Sequence, residues 1–328
     1  MPDFLAMESS PHVLFVALYN GESFASPLWR VVNHLNASGA GQPSIYFHAL
    51  VNHAYASVEP WCTQHELAKM PLDAQAQHRN LTRGKPKGAH IFLWKAFLYR
   101  LVSVPKLIVL DLDVVLVAGA RLHDLWAEFH SFGPRAVLGL VPEQGPTYAR
   151  RGLAKNQSAF NGGVQLHHLR RMRGDPMASS FHESLTHCAA GGCVGWDRVE
   201  PSLGDQTLYT DLCNREPHLC QVVSCGWNRQ MSTKFYSVPG FATGWHACSS
   251  RCRLLHFNQP LLETLAPLLQ QSKGHPSCTV CRSALVDLEN RTRASGSHNA
   301  KFTWGASKQH MARLIGDCCC PPKTTDDI

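Results

Sequence analysis

Asp111 and Asp113 stand one residue apart at the end of an apolar run, KLIVLDLDVVLV, and they are the residues best placed to do chemistry. Leu107 to Leu110 have the composition of a strand buried on both faces, and Val114 to Val117 resume the apolar character. Alternation along an extended chain would point both carboxylates to one side. Like charges held together at the end of a buried strand repel and resist desolvation. A divalent cation relieves both penalties, and hard oxygen ligands suit Mg²⁺ or Mn²⁺. The plainer reading is a pair of solvated turn aspartates, for which apolar runs on both sides are a poor setting.

The elements that must position this pair alternate. His12 to Tyr19 reads as a strand closed by Asn20-Gly21, and Phe24 to Leu35 as a helix after Ser26-Pro27. Ser44 to Val51 is a second strand, Trp61 to Lys69 has some helical character, and Pro71 to Gly88 is a polar connection. His90 to Val102 is a helix, followed by the Asp-Leu-Asp strand, a short helix at Leu122 to Phe129 and a strand at Ala136 to Val141. This order predicts an α/β chain with a central, mostly parallel sheet, in which ligands sit at the carboxyl ends of strands. Beyond a polar loop at Pro142 to Lys155, short strands are expected at Val164 to Leu166, Gln221 to Ser224 and Arg253 to Phe257. Gly204-Asp205-Gln206 opens a helix over Thr207 to Cys213, Cys188 to Gly195 is loop, and Leu261 to Gln270 is a last helix. One domain over 10–271 and a polar, poorly ordered tail over 272–328 follow.

Composition narrows the partners. Among 328 residues, a net charge of +7 suits a polyanionic small ligand, but Lys and Arg form no long runs, so no nucleic acid is expected. No stretch of about 18 apolar residues could span a membrane. Thirteen cysteines, most of them from Cys188 onward, and acceptor sequons at Asn36, Asn80, Asn156 and Asn290 favour an oxidising secretory lumen, Golgi or endoplasmic reticulum. The N-terminus lacks a basic region and a cleavage site, so membrane attachment there would need an anchor not present in this sequence. Cys248, Cys252, Cys278 and Cys281 keep a second reading open, a zinc site, beside disulfides and free thiols.

Five motifs in order, LDLDVVL, FNGGVQL, GDQ, CGWN and LLHFN, with LVPEQG after a sheet strand, resemble glycosyltransferase family 8. Within it the chain looks most like the glucoside and xyloside xylosyltransferases and the xylosyl-glucuronyl polymerases. The resemblance implies a Rossmann-like GT-A fold and retaining transfer of a sugar, xylose preferred, from a UDP-sugar to a glycan or glycoside acceptor in α-linkage. It implies Mn²⁺ (or Mg²⁺) on Asp111, Asp113 and His256. Donor contacts would come from Ala17, Tyr19, Asn20, Lys95, Leu112, Asn161, Gly162 and Gly163, and Asp205 and Gln206 would lie beside the anomeric carbon as catalytic candidates. Family-like placement also implies a disulfide between Cys225 and Cys248 near Trp227.

The chain departs from the family pattern at several points. Phe257 stands where glycine usually follows the metal histidine, and Asn258, Gln259 and Pro260 stand where some members carry a phosphate-binding lysine. Thr207 replaces an aspartate, and Arg229 replaces a tyrosine and could restore positive charge near the phosphate. Two other classes compete. One is an inactive family member acting as a glycan-binding or scaffold protein. The other is a haloacid-dehalogenase-type phosphatase, whose nucleophile motif IVLDLDVVL resembles but whose later paired aspartates are found only in the tail at Asp326-Asp327.

Overall fold

The computed structural model describes residues 10–18, 32, 35, 45–52, 54, 62–83, 87–117, 119–144, 158–174, 177–190, 204–231, 248 and 250–257. Strands β1 (His12–Ala17), β2 (Tyr46–Val51), β3 (Thr63–Glu66), β4 (Leu107–Leu110), β6 (Leu138–Pro142), β7 (Phe160–His167) and β8 (Cys220–Val222) form one seven-stranded sheet in the order β3-β2-β1-β4-β7-β6-β8. Only β7 runs against its neighbours; the other pairings are parallel. A second sheet pairs β5 (Val114–Leu116), β10 (Leu254–Phe257) and β9 (Arg229–Met231) in the order β5-β10-β9.

β1 and β4 are buried along their whole length, as apolar strands covered on both faces must be. Their side chains divide between two cores by strict alternation. Val13, Phe15, Ala17, Ile108 and Leu110 pack on one face with the helix Leu122–Ala127. Leu14, Val16, Leu107 and Val109 pack on the other with Phe97, Phe181, Leu185 and Leu212. No helix among the described residues is long and apolar enough to cross a membrane.

Several expected elements change. Trp61 to Lys69 is not helical: Thr63–Glu66 is an edge strand parallel to β2, and only Leu67–Lys69 makes a 3₁₀ turn. Thr-Gln-His-Glu is polar because an edge strand is held by its backbone ladder rather than by buried side chains. The polar connection contains a helix, Leu72–Thr82, which buries Ala74, His78, Leu81 and Thr82. Its stripe escapes a hydrophobic count because His78 supplies the apolar area, stacking on Trp94 with centroids 3.6 Å apart. The expected helix over 90–102 is an α-helix, Lys87–Leu93, running into 3₁₀ turns, Trp94–Arg100. A helix at Met177–Ala189 extends into the expected 188–195 loop and carries buried Cys188. Asn161-Gly162-Gly163 does not precede β7 but lies inside it, at a register shift against β6 between Leu140 and Val141. Such a bulge re-aims side chains where a strand passes a site.

Of the helix expected at Phe24 to Leu35, Val32 and Leu35 are helical and buried. The helix at Leu261 to Gln270 and the 272–328 tail lie outside the described residues. Disulfides join Cys213 to Cys220 and Cys225 to Cys248, and Cys188 and Cys252 are also disulfide-bonded. The zinc reading therefore fails at Cys248 and Cys252, whose sulfurs are already spent; Cys278 and Cys281 lie outside the described residues.

Buried histidines brace the sheet. His48 Nε2 meets His12 Nδ1 at 3.0 Å, and His48 Nδ1 meets His65 Nε2 at 3.1 Å. Burial, then the neighbouring His12 and His65, pushes His48 down to about 3. Burial likewise lowers His167 to about 3 and His78 and His168 to about 4. These groups are neutral in the fold but protonate near 6.5 once unfolded, so the stability they permit is complete above about 6.5 and is lost as pH falls toward the folded values. Each steepens that loss by up to about 1.4 kcal/mol per pH unit. Thermal melts should therefore show a sharply lower midpoint at pH 5 than at pH 7; an unchanged or higher midpoint would contradict the neutral assignment.

Candidate active site

The chain turns at Leu112-Asp113 between β4 and β5, so the two aspartates are not on one extended strand. They converge for another reason. β10 pairs antiparallel with β5 in a register that sets His256 opposite Val114, beside Asp113. His256 Nε2 lies 3.3 Å from Asp113 Oδ1 and 3.5 Å from Asp111 Oδ2. One ligand atom from each residue falls within 4.8 Å of the others, a set that can hold a metal ion. Burial works against a charged His256, but Asp113 and then Asp111 outweigh it and hold the pKa above its ordinary value. Two oxygens and one imidazole nitrogen fit a divalent cation, which would take the place of that proton.

Lys95 stands behind the turn, 1% exposed, with Nζ 2.8 Å from Asp111 Oδ1, 2.8 Å from Gly162 O and 3.3 Å from Asp205 Oδ2. Burial opposes its charge, yet the two carboxylates raise its pKa above the usual lysine value. Its donors are committed, so it acts as a fixed counter-ion in the wall rather than as a free arm toward a ligand. Asp205 opens the helix Asp205–Arg215 and is pushed up to about 6, chiefly by burial, against the pull of Lys95 and with Asp111 adding to the rise. Gln165 Nε2 also donates to Asp205 Oδ2.

Amides complete the wall. Asn161 Nδ2 donates to Glu143 Oε2 (3.1 Å) and Gln206 Oε1 (3.3 Å), while Gln206 Nε2 donates to Glu143 Oε2 (2.6 Å). The Gly162 N–H donates to Gln206 Oε1 at 3.3 Å. The glycines are there for close approach. A Cβ at Gly163 would stand 2.2 Å from His256 Cε1, and one at Gly162 2.9 Å from Asp205 Oδ2.

The remaining expected positions divide. Ala17 is buried at the end of β1, and Leu112 is half-buried against the core. Tyr19, Asn20, Asn258, Gln259 and Pro260 lie outside the described residues. Arg229, expected near a phosphate, donates from its guanidinium to the carbonyls of Cys248 (3.0 Å) and Ser250 (3.3 Å). Together with the Cys225–Cys248 bridge it ties the 225–230 segment to the chain that leads into β10. A Cβ on Gly226 would lie 2.1 Å from Arg251 O, which explains glycine before Trp227. Glu143, Gln165 and Asn228 join this group in the structure without belonging to the residues expected from the sequence. Glu143 had a signal, its place just past the carboxyl end of β6. Buried amides inside a strand or turn carry none.

No protein-family model matches the chain. It is 25% identical over 205 residues to human xyloside xylosyltransferase 1, covering 57% of this chain and 51% of that protein. The mouse protein is 30% identical over 175 residues, covering 48% and 43% respectively. A Danio rerio xylosyl- and glucuronyltransferase, LARGE2s, is 28% identical over 165 residues, 48% of this chain and 20% of that protein. The chain thus spans about half the length of the xyloside xylosyltransferases it matches. The crystal structure of mouse xyloside xylosyltransferase 1 in its apo form superposes with a TM-score of 0.60 at 20% identity, covering 76% of this chain and 98% of that one. Galactosyltransferase LgtC, in complex with donor and acceptor sugar analogs, gives 0.51 at 16% identity, covering 95% and 98%.

The chain has the GT-A fold of the glycosyltransferases. In sequence it is family-8-like, and its named relatives are glycosyltransferases.

The clash at Gly163 gives a sharp test. Gly163→Ala should lower stability by ~1–3 kcal/mol and shift the magnetic-resonance signals of the His256 ring. Gly133→Ala, whose Cβ would meet nothing within 4 Å, should leave both unchanged. Equal behaviour of the two variants would remove the packing role of Gly163.

Proposed function

We propose that the chain is a retaining glycosyltransferase that moves a sugar, xylose preferred, from a UDP-sugar to a glycan or glycoside acceptor in α-linkage. The observation that carries this reading is the meeting of Asp111, Asp113 and His256 on one GT-A sheet edge, with Lys95 and Asp205 buried directly behind. The xylose preference rests on the relatives named xyloside xylosyltransferase. Mn²⁺ on the three ligands would supply Lewis-acid stabilisation of the departing diphosphate.

The protein's own groups do the rest. Asp205 holds a fixed carboxylate packed against Gly162, which has no side chain to keep it away, and its charge would stabilise an oxocarbenium-like anomeric carbon. Lys95 keeps that carboxylate ionised and in place. Gln206 Oε1 accepts from Asn161 Nδ2 and Gly162 N–H, which occupies both of its lone pairs. Gln206 is thereby oriented and left with little nucleophilic capacity, which supports same-face displacement over a covalent intermediate on this residue. A secretory lumen suits a chain in which Cys188, Cys213, Cys220, Cys225, Cys248 and Cys252 are disulfide-bonded.

The decisive experiment is a panel of UDP-sugars assayed for hydrolysis and transfer with and without Mn²⁺. UDP-xylose turnover that needs the cation, and that falls at least ~100-fold in Asp113→Ala, is the expected result. Turnover indifferent to that substitution rejects the cation role, and binding of Mn²⁺ without any turnover favours a glycan-binding protein. A second measurement uses pH. Because Asp113 and Asp111 hold the His256 pKa up against burial, protons compete with the cation at higher pH than they would for a free imidazole. Apparent Mn²⁺ affinity should fall by up to about tenfold per pH unit below that pKa; affinity independent of pH between about 5 and 7 would count against His256 as a ligand.

A further inference from the structure

We infer that Asn228 is a positioning residue that fixes His256 as its Nδ1–H tautomer and turns the Nε2 lone pair onto the cation site. The inference rests on the reading of Asp111, Asp113 and His256 as ligands and adds to it a residue that touches none of the reacting groups. Asn228 is fully buried in the CGWN turn. Its Oδ1 lies 3.0 Å from His256 Nδ1, and its Nδ2 lies 2.8 Å from Asn161 Oδ1.

The direction of this chain of bonds is set at its far end. Asn161 Oδ1 accepts from the Gly163 backbone N–H at 2.8 Å, and an N–H can only donate. Asn161 therefore presents its oxygen to Asn228, which must answer with Nδ2. Asn228 is left with its oxygen toward His256, and an oxygen can only accept, so Nδ1 carries the proton. Nε2, on the opposite edge of the ring, then offers its lone pair toward Asp113 and Asp111, 3.3 and 3.5 Å away. Reversing Asn228 would set its Oδ1 against Asn161 Oδ1 at 2.8 Å. Reversing Asn161 as well would point its Nδ2 at the Gly163 N–H and break its bonds to Glu143 and Gln206. A backbone group of β7 thus dictates which nitrogen of a β10 histidine is free. Groups in this outer position orient a ligand histidine and raise its basicity, and their loss weakens metal binding about 10–100-fold.

The test uses the full chain and Mn²⁺ alone, with calorimetry for affinity and pulsed electron paramagnetic resonance for nitrogen coupling to the bound ion. Asn228→Ala removes the acceptor and should weaken Mn²⁺ binding about 10–100-fold while the nitrogen coupling fades. Asn228→Asp keeps an oxygen toward Nδ1 but sets a carboxylate oxygen against Asn161. It should melt lower than the parent chain yet bind Mn²⁺ within about threefold of it and keep the coupling. A merely structural residue would rank the two variants by their melting temperatures. Parent-like affinity in folded Asn228→Ala overturns the inference, as does an equal loss in both variants. Should Asn228→Ala fail to fold, Asn228→Asp decides alone, retained affinity and coupling supporting the assignment and their loss overturning it. A parent chain that binds no Mn²⁺ removes the cation site itself, and this inference with it.

Discussion

Two carboxylates cannot be kept half out of water beside one another unless positive charge is built in around them, and this chain supplies it from both sides. Lys95 reaches Asp111 from beneath and His256 reaches both aspartates from above. The same ammonium also holds Asp205, so one buried charge joins the β4 turn to the start of the helix Asp205–Arg215. Removing one member of such a group strands its partners in low dielectric at a cost of about 3–5 kcal/mol. Much of the fold serves this arrangement. β4 and β7 lie side by side so that Asp111 and the Gly162-Gly163 pair share one edge, and the Asp111 N–H bonds to Gly163 O at 3.0 Å.

The small sheet solves a separate problem, bringing a residue from the far end of the described chain onto the Asp-Leu-Asp turn. β10 does this by pairing with β5, which follows the turn immediately. Its approach is fastened at the other edge by β9, the Cys225–Cys248 bridge and the Arg229 guanidinium on two carbonyls. Arg229 is therefore better understood as a brace for the histidine strand than as a substitute for a phosphate ligand. Its guanidinium satisfies two backbone carbonyls just before β10, those of Cys248 and Ser250.

What the sequence disclosed follows from which forces leave a pattern. β1, β4 and the β5 run were legible because burial on both faces demands unbroken apolar residues. The Asp-Leu-Asp pair stood out against that background, and the order of five motifs drew Asp205, Gln206, Asn161 and His256 into one site. Their local geometry was less legible. Extended alternation was the wrong reason for the convergence of Asp111 and Asp113, which meet through a turn and a cross-strand histidine. β3 and the helix Leu72–Thr82 left little trace, since one is an edge ladder and the other buries His78 and Thr82 where Leu or Val would have been noticed. Asn228 and Gln165 left none, because an amide reveals its role only through the partner it faces.

That last point bears on how a site of this kind can be stiffened without adding further charge. Every further ionised group near Asp111, Asp113 and Asp205 would perturb a balance already set by one lysine and one imidazole. Amides escape this difficulty, since each carries a donor and an acceptor in fixed relation and no net charge. Asn161 uses both ends, taking the Gly163 N–H and Asn228 on its oxygen and sending its nitrogen to Glu143 and Gln206. The Asp111, Asp113 and His256 cluster and the Glu143, Asn161 and Gln206 cluster are thus referenced to a single backbone N–H inside β7. A displacement of that strand would move both faces together, so that on the proposed reading a single donor molecule would meet them as one unit.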